Sequence, residues 1–122
     1  MTQSQPSIQT VADYVLGLTY EHVPAPIVQK AKDVILDTVG VILAASRYPA
    51  GKLSTDFARE MGGNPQSSVM GADFKTSVVN AAFANGVMGH DMELDESFGA
   101  GLHAGAVIVP AALAVAEAEK SD

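Results

Sequence analysis

The sequence predicts a mainly α-helical protein with at most one scrap of β-structure. Two observations carry that reading. Apolar residues recur at helical spacing in most segments, and Ser and Pro sit where helices should start while Gly sits where they should stop. The composition agrees, because 48% hydrophobic and 17% charged residues describe a chain that folds around a core. Its 122 residues suffice for one small domain and are short for two.

Residues 1–6 read as a flexible tail, and residues 7–122 as one partial helical domain. Ser7 is a candidate N-cap for a first helix carrying Ile8, Val11, Ala12, Val15 and Leu16 on one face. Gly17 weakens its end, and Thr19 to Pro26 is a proline-punctuated linker in which His22 reads as a surface residue. A second, long amphipathic helix should begin near Pro26 and carry Ile27, Ala31, Val34, Ile35, Val39 and Ile42 on one face. Arg47 to Lys52 reads as a loop. Leu53, Phe57 and Met61 mark a short helix stopped by Gly62-Gly63. Ser68-Val69-Met70 is the candidate strand. A cap around Thr76-Ser77 precedes an Ala-rich helix from Val78 to Met88, and Asp91 to Gly101 reads as a loop. The stretch from His103 to Ala116 is almost wholly apolar, which predicts a buried helix that Pro110 starts or kinks. The methionines at 61, 70, 88 and 92 read as core filling. An apolar helix so near residue 122 suggests that the chain is the front of something larger, or that a partner covers it.

Charge removes several classes of function. Seven basic against fourteen acidic residues give a net charge of −7, which disfavours nucleic acid and anionic membrane surfaces as partners. Without cysteine there are no disulfides, thiolate metal sites or thiol nucleophiles. No run reaches the roughly 18 apolar residues of a membrane span. Met1 to Ser7 lacks the basic and apolar regions of a signal peptide, so the expected location is cytoplasmic.

Chemistry concentrates in Gly89-His90-Asp91-Met92-Glu93-Leu94-Asp95-Glu96-Ser97, with His103 following a glycine-bearing stretch. Crowded carboxylates oppose one another's ionisation, and a poised carboxylate beside an imidazole suits general acid–base work. A solvated acidic loop is the plainer alternative. His90, Asp91, Glu93, Asp95 and His103 are all metal-ligand types. The calcium-loop template nevertheless finds Glu96 where Gly is needed and Leu102 where Glu is needed, so no metal is expected. Ser97 lacks a nucleophile elbow, and the glycines at 99, 101 and 105 do not form a dinucleotide fingerprint.

In order along the chain, several segments resemble the MmgE/PrpD family of 2-methylcitrate dehydratases and cis-aconitate decarboxylases. They are Leu18 to Pro24, Ile35 to Gly40, Val69-Met70-Gly71, Asn80 to Gly86, His90-x-x-Glu93-x-Asp95-Glu96-Ser97, His103, and Val109 to Leu113. The resemblance implies the N-terminal portion of a large helical domain, joined in the whole protein to an α/β lid and usually assembled as a homodimer. It also implies cofactor-independent lyase or epimerase chemistry on small di- or tricarboxylates. The family places its acid–base residues in an Asp-x-Asp-Asp-Thr cluster and at the His of a following His-Pro. Carried over, the first Asp falls on Glu93, the pair on Asp95 and Glu96, the Thr on Ser97 and the His on His103. His103, Glu93 and Ser97 are thereby the expected catalytic residues, with Asp95, Glu96 and Asn85 binding substrate or positioning the loop. Glu93 is longer than Asp, Ser97 lacks a methyl, and Ala104 replaces the usual proline.

Family members are several times longer than this chain. The expectation is therefore a segment inactive alone, completed by a homo-oligomer or a companion chain. The rival expectation is a non-catalytic helical module whose C-terminal helix packs on a partner.

Overall fold

In the computed structural model, described over residues 7–99 and 101–121, the described residues form five α-helices and one two-stranded antiparallel ribbon. The helices are α1 (Ile8–Gly17), α2 (Ala25–Ala45), α3 (Pro49–Met61), α4 (Val78–His90) and α5 (Ala104–Glu119). The strands are β1 (Ser67–Ser68) and β2 (Lys75–Thr76), paired Ser67 with Thr76 and Ser68 with Lys75. The expected tail, residues 1–6, lies outside the described residues. No described helix is long and apolar enough to cross a membrane. The chain divides into two compact units, one ending at Lys32 and the other beginning at Asp33.

In the first unit, the Ser7 hydroxyl accepts from the Thr10 N–H at 3.3 Å and caps α1 as the sequence predicts. A single 3₁₀ turn, Tyr20–His22, leads into α2. His22 is exposed, and its Nδ1 lies 3.2 Å from the Thr19 hydroxyl.

The second unit holds the core. Ile42, Ala45, Ala58, Val69, Ala81, Ala84, Met88 and Ala114 are all buried together. The stripe that α2 buries is Thr38, Val41, Ile42 and Ala45, so only Ile42 survives as buried from the predicted face. Ile35 remains 39% exposed. A 21-residue helix needs only its C-terminal half to meet this core, and apolar periodicity further upstream does not mark contact. Met88 is fully buried and Met70 and Met92 pack against the core, whereas Met61 is exposed.

The predicted loop from Arg47 to Lys52 is shorter than expected, because α3 already starts at Pro49. Proline fixes a helical φ and lacks an N–H that a first turn would leave unpaired, so here it opens a helix. The turn into α3 is tight. A Cβ on Gly51 would collide with the Ala45 carbonyl, so only glycine lets α3 turn this closely off the end of α2.

Gly62 stops α3 at φ 60°, and its carbonyl accepts from the Thr76 hydroxyl and the Asn80 side-chain amide. The Ser77 hydroxyl accepts from the Asn80 N–H and caps α4, as predicted. The brief strand falls at Ser67–Ser68 rather than 68–70, and its partner β2 carries no run long enough to announce itself. Ser67 is fully buried and donates to the Ala114 carbonyl at 2.6 Å. Glu117 of α5 accepts from the Ser68 N–H and hydroxyl, each at 2.7 Å, and pairs with Lys75 at 2.7 Å. The ribbon is thus latched to α5.

Helix α5 continues through Pro110 instead of starting there. It buries Gly105, Ala106, Val109, Pro110 and Ala114, while Val107, Ile108 and Val115 are 73%, 62% and 51% exposed. The helix is therefore buried along one face and not all round.

Two outcomes test this packing. Ile42→Ala, at a site with no exposure, should cost about 2–5 kcal/mol in chemical unfolding. The Lys75 ammonium and the Ser68 N–H hold the Glu117 carboxyl down from 4.5 to about 2. Its contribution to stability is therefore complete above pH 4.5 and is lost as the pH falls toward 2. Melting temperatures of Glu117→Gln should show a flatter acid limb than the parent across that window.

Candidate functional site

Helix α4 ends on His90, and His103 is the residue immediately before α5. The two helices approach closely because small residues face each other. A Cβ on Gly89 would lie 3.4 Å from the Ala106 Cα. This approach brings the imidazoles of His90 and His103 together, with ring centroids 4.7 Å apart and planes tilted by 56°.

Asp95, from the connecting loop, sits against both rings with its side chain wholly buried. His90 Nδ1 is 3.1 Å from Asp95 Oδ1 and 3.4 Å from Oδ2, in hydrogen-bonding alignment. His103 Nδ1 is 3.2 Å from Oδ2 without that alignment, and this nitrogen is buried with no hydrogen-bond partner. A carboxylate taken out of water needs opposed charge or donors, and the two imidazoles are what the fold provides.

Glu96 holds the adjoining backbone. One carboxylate oxygen accepts from the Gly105 N–H in the first turn of α5, where the unpaired N–H groups and the helix dipole favour an anion. The other oxygen is buried and unpartnered. Gly105 has no room for a side chain: a Cβ there would overlap Glu96 and come within 2.8 Å of the Thr38 hydroxyl. Phe98 and Leu102 exchange backbone hydrogen bonds of 2.9 and 3.3 Å across Gly99 and Gly101, which both have positive φ. The loop is therefore closed on itself just before His103.

The other sequence-expected residues lie differently. Glu93 is exposed, has a left-handed backbone at φ 48°, and pairs with neither histidine among the described residues. Ser97 is exposed on the same loop. Asn85 is buried in α4, where its side-chain oxygen accepts from the Met70 N–H at 2.9 Å and its nitrogen donates to the Ser68 carbonyl at 3.0 Å. Both ends of its amide thus hold the end of β1 and the segment just after it. Sequence reasoning placed His90 in the acidic run as a metal-ligand type but not among the expected catalytic or substrate-binding residues. The missing signal was the end of α4, which runs through His90 rather than stopping at Met88 and so turns this ring toward Asp95.

His90 and His103 line one end of an open cleft of about 750 Å³ between α4 and α5, walled by Phe83, Val87, Leu102 and Val107. No lysine or arginine lies between Lys75 and Lys120, so this stretch brings no fixed cation to the cleft. His90, Asp95 and His103 are also the one group of three possible metal ligands among the described residues. Chemically, the arrangement is an imidazole beside a buried carboxylate, opening on a largely apolar cleft.

The model of the MmgE/PrpD N-terminal domain matches residues 9–122, and the chain belongs to that family. Over 111 residues it is 29% identical to the cis-aconitate decarboxylase of Mus musculus and 28% identical to that of Homo sapiens. Both matches cover 90% of this chain and 23% of the relative. A cis-aconitate decarboxylase-like protein, oryM, of Aspergillus oryzae (strain ATCC 42149 / RIB 40) is 31% identical over 127 residues, 98% of this chain and 26% of its own length. The chain thus spans about a quarter of the length of these relatives.

The crowding at Gly105 makes a testable statement about the site's frame. Gly105→Ala should cost about 1–3 kcal/mol through the clash with Glu96 and Thr38. A denaturant midpoint equal to the parent's would mean that the loop yields freely at this point.

Proposed function

We propose that this chain supplies the histidine-bearing part of a lyase or epimerase site that moves a proton at a carbon next to a carboxylate. The substrate class is a small di- or tricarboxylate, in keeping with the family and with relatives named for cis-aconitate. The observation that carries the reading is the 3.2 Å approach of Asp95 to His103 Nδ1 at the mouth of the α4–α5 cleft. A carboxylate on that side favours the tautomer with the proton on Nδ1. Nε2 is then left as the atom that takes or returns a substrate proton.

On this reading His103 is the acid–base group and Glu93 the companion carboxylate. The Ser97 hydroxyl donates to a substrate oxygen, and Asp95 and Glu96 position the loop, with Asn85 bracing α4 behind it. Glu93 and Ser97 lie exposed, so bound substrate has to draw them in. The site needs cations from elsewhere. Two unit charges 4 Å apart repel by about 4 kcal/mol at an effective dielectric of 20, against roughly 1 kcal/mol for a hydrogen bond. A polycarboxylate facing Asp91, Glu93, Asp95 and Glu96 therefore requires lysine or arginine from a further part of the enzyme. That part is a companion segment or a second copy, and the chain alone is inactive. Neither a metal nor an organic cofactor is needed for such a proton transfer, and a cytoplasmic location is part of the same reading.

A second reading is favoured by the exposed Val107, Ile108 and Val115 on α5: a non-catalytic helical module that packs on a partner. Proton exchange into a panel of small carboxylates separates the two, run with and without a companion carrying the rest of the family domain. In the assembled enzyme, His103→Gln should lower turnover by about 10²–10⁴-fold, far more than losing one imidazole beside Asp95 lowers stability, as read from the melting temperature. Near-normal turnover in that variant would take His103 out of the mechanism.

A further inference from the structure

Away from the α4–α5 cleft, the second unit gathers unpaired positive charge at one place. Its basic residues are Arg47, Lys52, Arg59, Lys75 and Lys120. Arg59 pairs with Asp73, and Lys75 pairs with Glu117. Arg47 and Lys52 pair with no carboxylate among the described residues. Yet both line the same pocket of about 550 Å³, together with Leu43, Ser46 and Gly71. We propose that this pocket binds a small, multiply charged oxyanion, above all a phosphate group.

The backbone fixes the frame of this pocket. Helix α2 ends at Ala45 and α3 begins at Pro49, so Arg47 lies in the turn and Lys52 in the first turn of α3. Gly71, at φ 80°, comes so close to Ser46 that a Cβ on it would overlap the Ser46 side chain. The chain has 14 acidic residues, yet none of them lines this pocket. Two like charges on one pocket without a counter-charge repel each other, and an anion between them removes that repulsion. The donors set the kind of anion. The Ser46 hydroxyl is committed to the Leu43 carbonyl at 2.8 Å. What remains is the guanidinium fork of Arg47, the ammonium of Lys52 and the Gly71 N–H, which makes no hydrogen bond among the described residues. These donors come from three separate places in the chain. A phosphate group presents oxygens in several directions and can meet them together, whereas a carboxylate presents two oxygens in one plane.

This inference goes beyond the proton-transfer reading and does not need it, since no residue of the α4–α5 cleft takes part. The test follows backbone amide resonances of the whole, isotope-labelled chain at low ionic strength while inorganic phosphate is added. Sodium chloride at matched ionic strength and succinate are titrated in parallel. The expected result is a saturable, one-to-one response to phosphate centred on the amides of Ser46, Arg47, Lys52 and Gly71. Succinate should bind more weakly, and chloride should give no saturable response. Arg47→Gln and Lys52→Gln, both at exposed residues and so compatible with an unchanged fold, should each weaken phosphate binding at least about tenfold. Lys120→Gln, outside the pocket, should bind as the parent does. Shifts that never saturate, or that chloride reproduces, would overturn the proposal. So would phosphate binding that survives Arg47→Gln and Lys52→Gln, or that falls equally in Lys120→Gln, since either describes a diffuse response to net charge. Tighter binding of succinate than of phosphate would overturn the choice of ligand. None of these readouts involves His103, so their failure leaves the proton-exchange assay standing, and the reverse holds as well.

Discussion

A carboxylate with no access to water has to be answered from within the protein, and Asp95 is such a carboxylate. Leaving it unpartnered would cost several kcal/mol, more than most single contacts in a small domain return. The answer comes from His90 at the end of one helix and His103 at the start of the next, so the condition on Asp95 is also a condition on how α4 meets α5. At that meeting Gly89 faces Ala106, and a Cβ on Gly89 would stand in van der Waals contact, 3.4 Å from the Ala106 Cα. The loop is then held from both sides, by the imidazoles at Asp95 and by the Gly105 N–H at Glu96. Its acidity, which reads at first as a solvated surface feature, is in part the structural link between two helices.

The same economy runs through the rest of the larger unit. Pro110 cannot donate to the Ala106 carbonyl, yet the helix continues, and that carbonyl faces Gly86 of α4, where a Cβ would stand only 3.5 Å away. The close side of α5 is thus built from residues with little side chain. At its far end the helix is tied by polar groups instead: the Ala114 carbonyl takes the Ser67 hydroxyl, and Glu117 takes Ser68 and Lys75. A two-residue ribbon would not persist alone. Here it is fixed by α5 and by the Asn85 amide of α4.

What was legible in the sequence was whatever depends on near neighbours. Ser7 and Ser77 cap their helices because a hydroxyl three residues before a free N–H is enough to do so, and Gly62 stops α3 for an equally local reason. Pro49 was misread because the same residue breaks a helix interior and opens a first turn, and only the following pattern distinguishes them. The buried stripe of α2 shifted to Thr38 and Val41, because burial depends on what packs there and not on periodicity alone. Strand β2 and the partners of Asn85 depend on pairing across many residues, which leaves no trace in spacing. Within the site, the acidic run and both histidines were visible as residue types. Their convergence on Asp95 was not, because it is set by the register at which α4 ends and by a helix contact between Gly89 and Ala106.

On the proposed reading, two unrelated features of the second unit call for the same element. The outer face of α5 leaves Val107, Ile108 and Val115 in water, and at about 25 cal/mol per Å² their cover by another segment would be favourable. The cleft beside that face is lined by Asp91 and by the two histidines that hold Asp95, with no lysine or arginine between positions 75 and 120, so an anionic substrate meets repulsion there. A segment that packs on α5 lies next to the cleft by construction, since Val107 belongs both to the exposed face and to the cleft wall. Basic side chains on it would enter the field of the acidic loop, where attraction to Glu93 and Asp91 would help to dock them. Apolar cover and charge compensation are then not two separate requirements. The hydrophobic face fixes where the completing segment binds, and the acidic loop selects for the cations that it must carry.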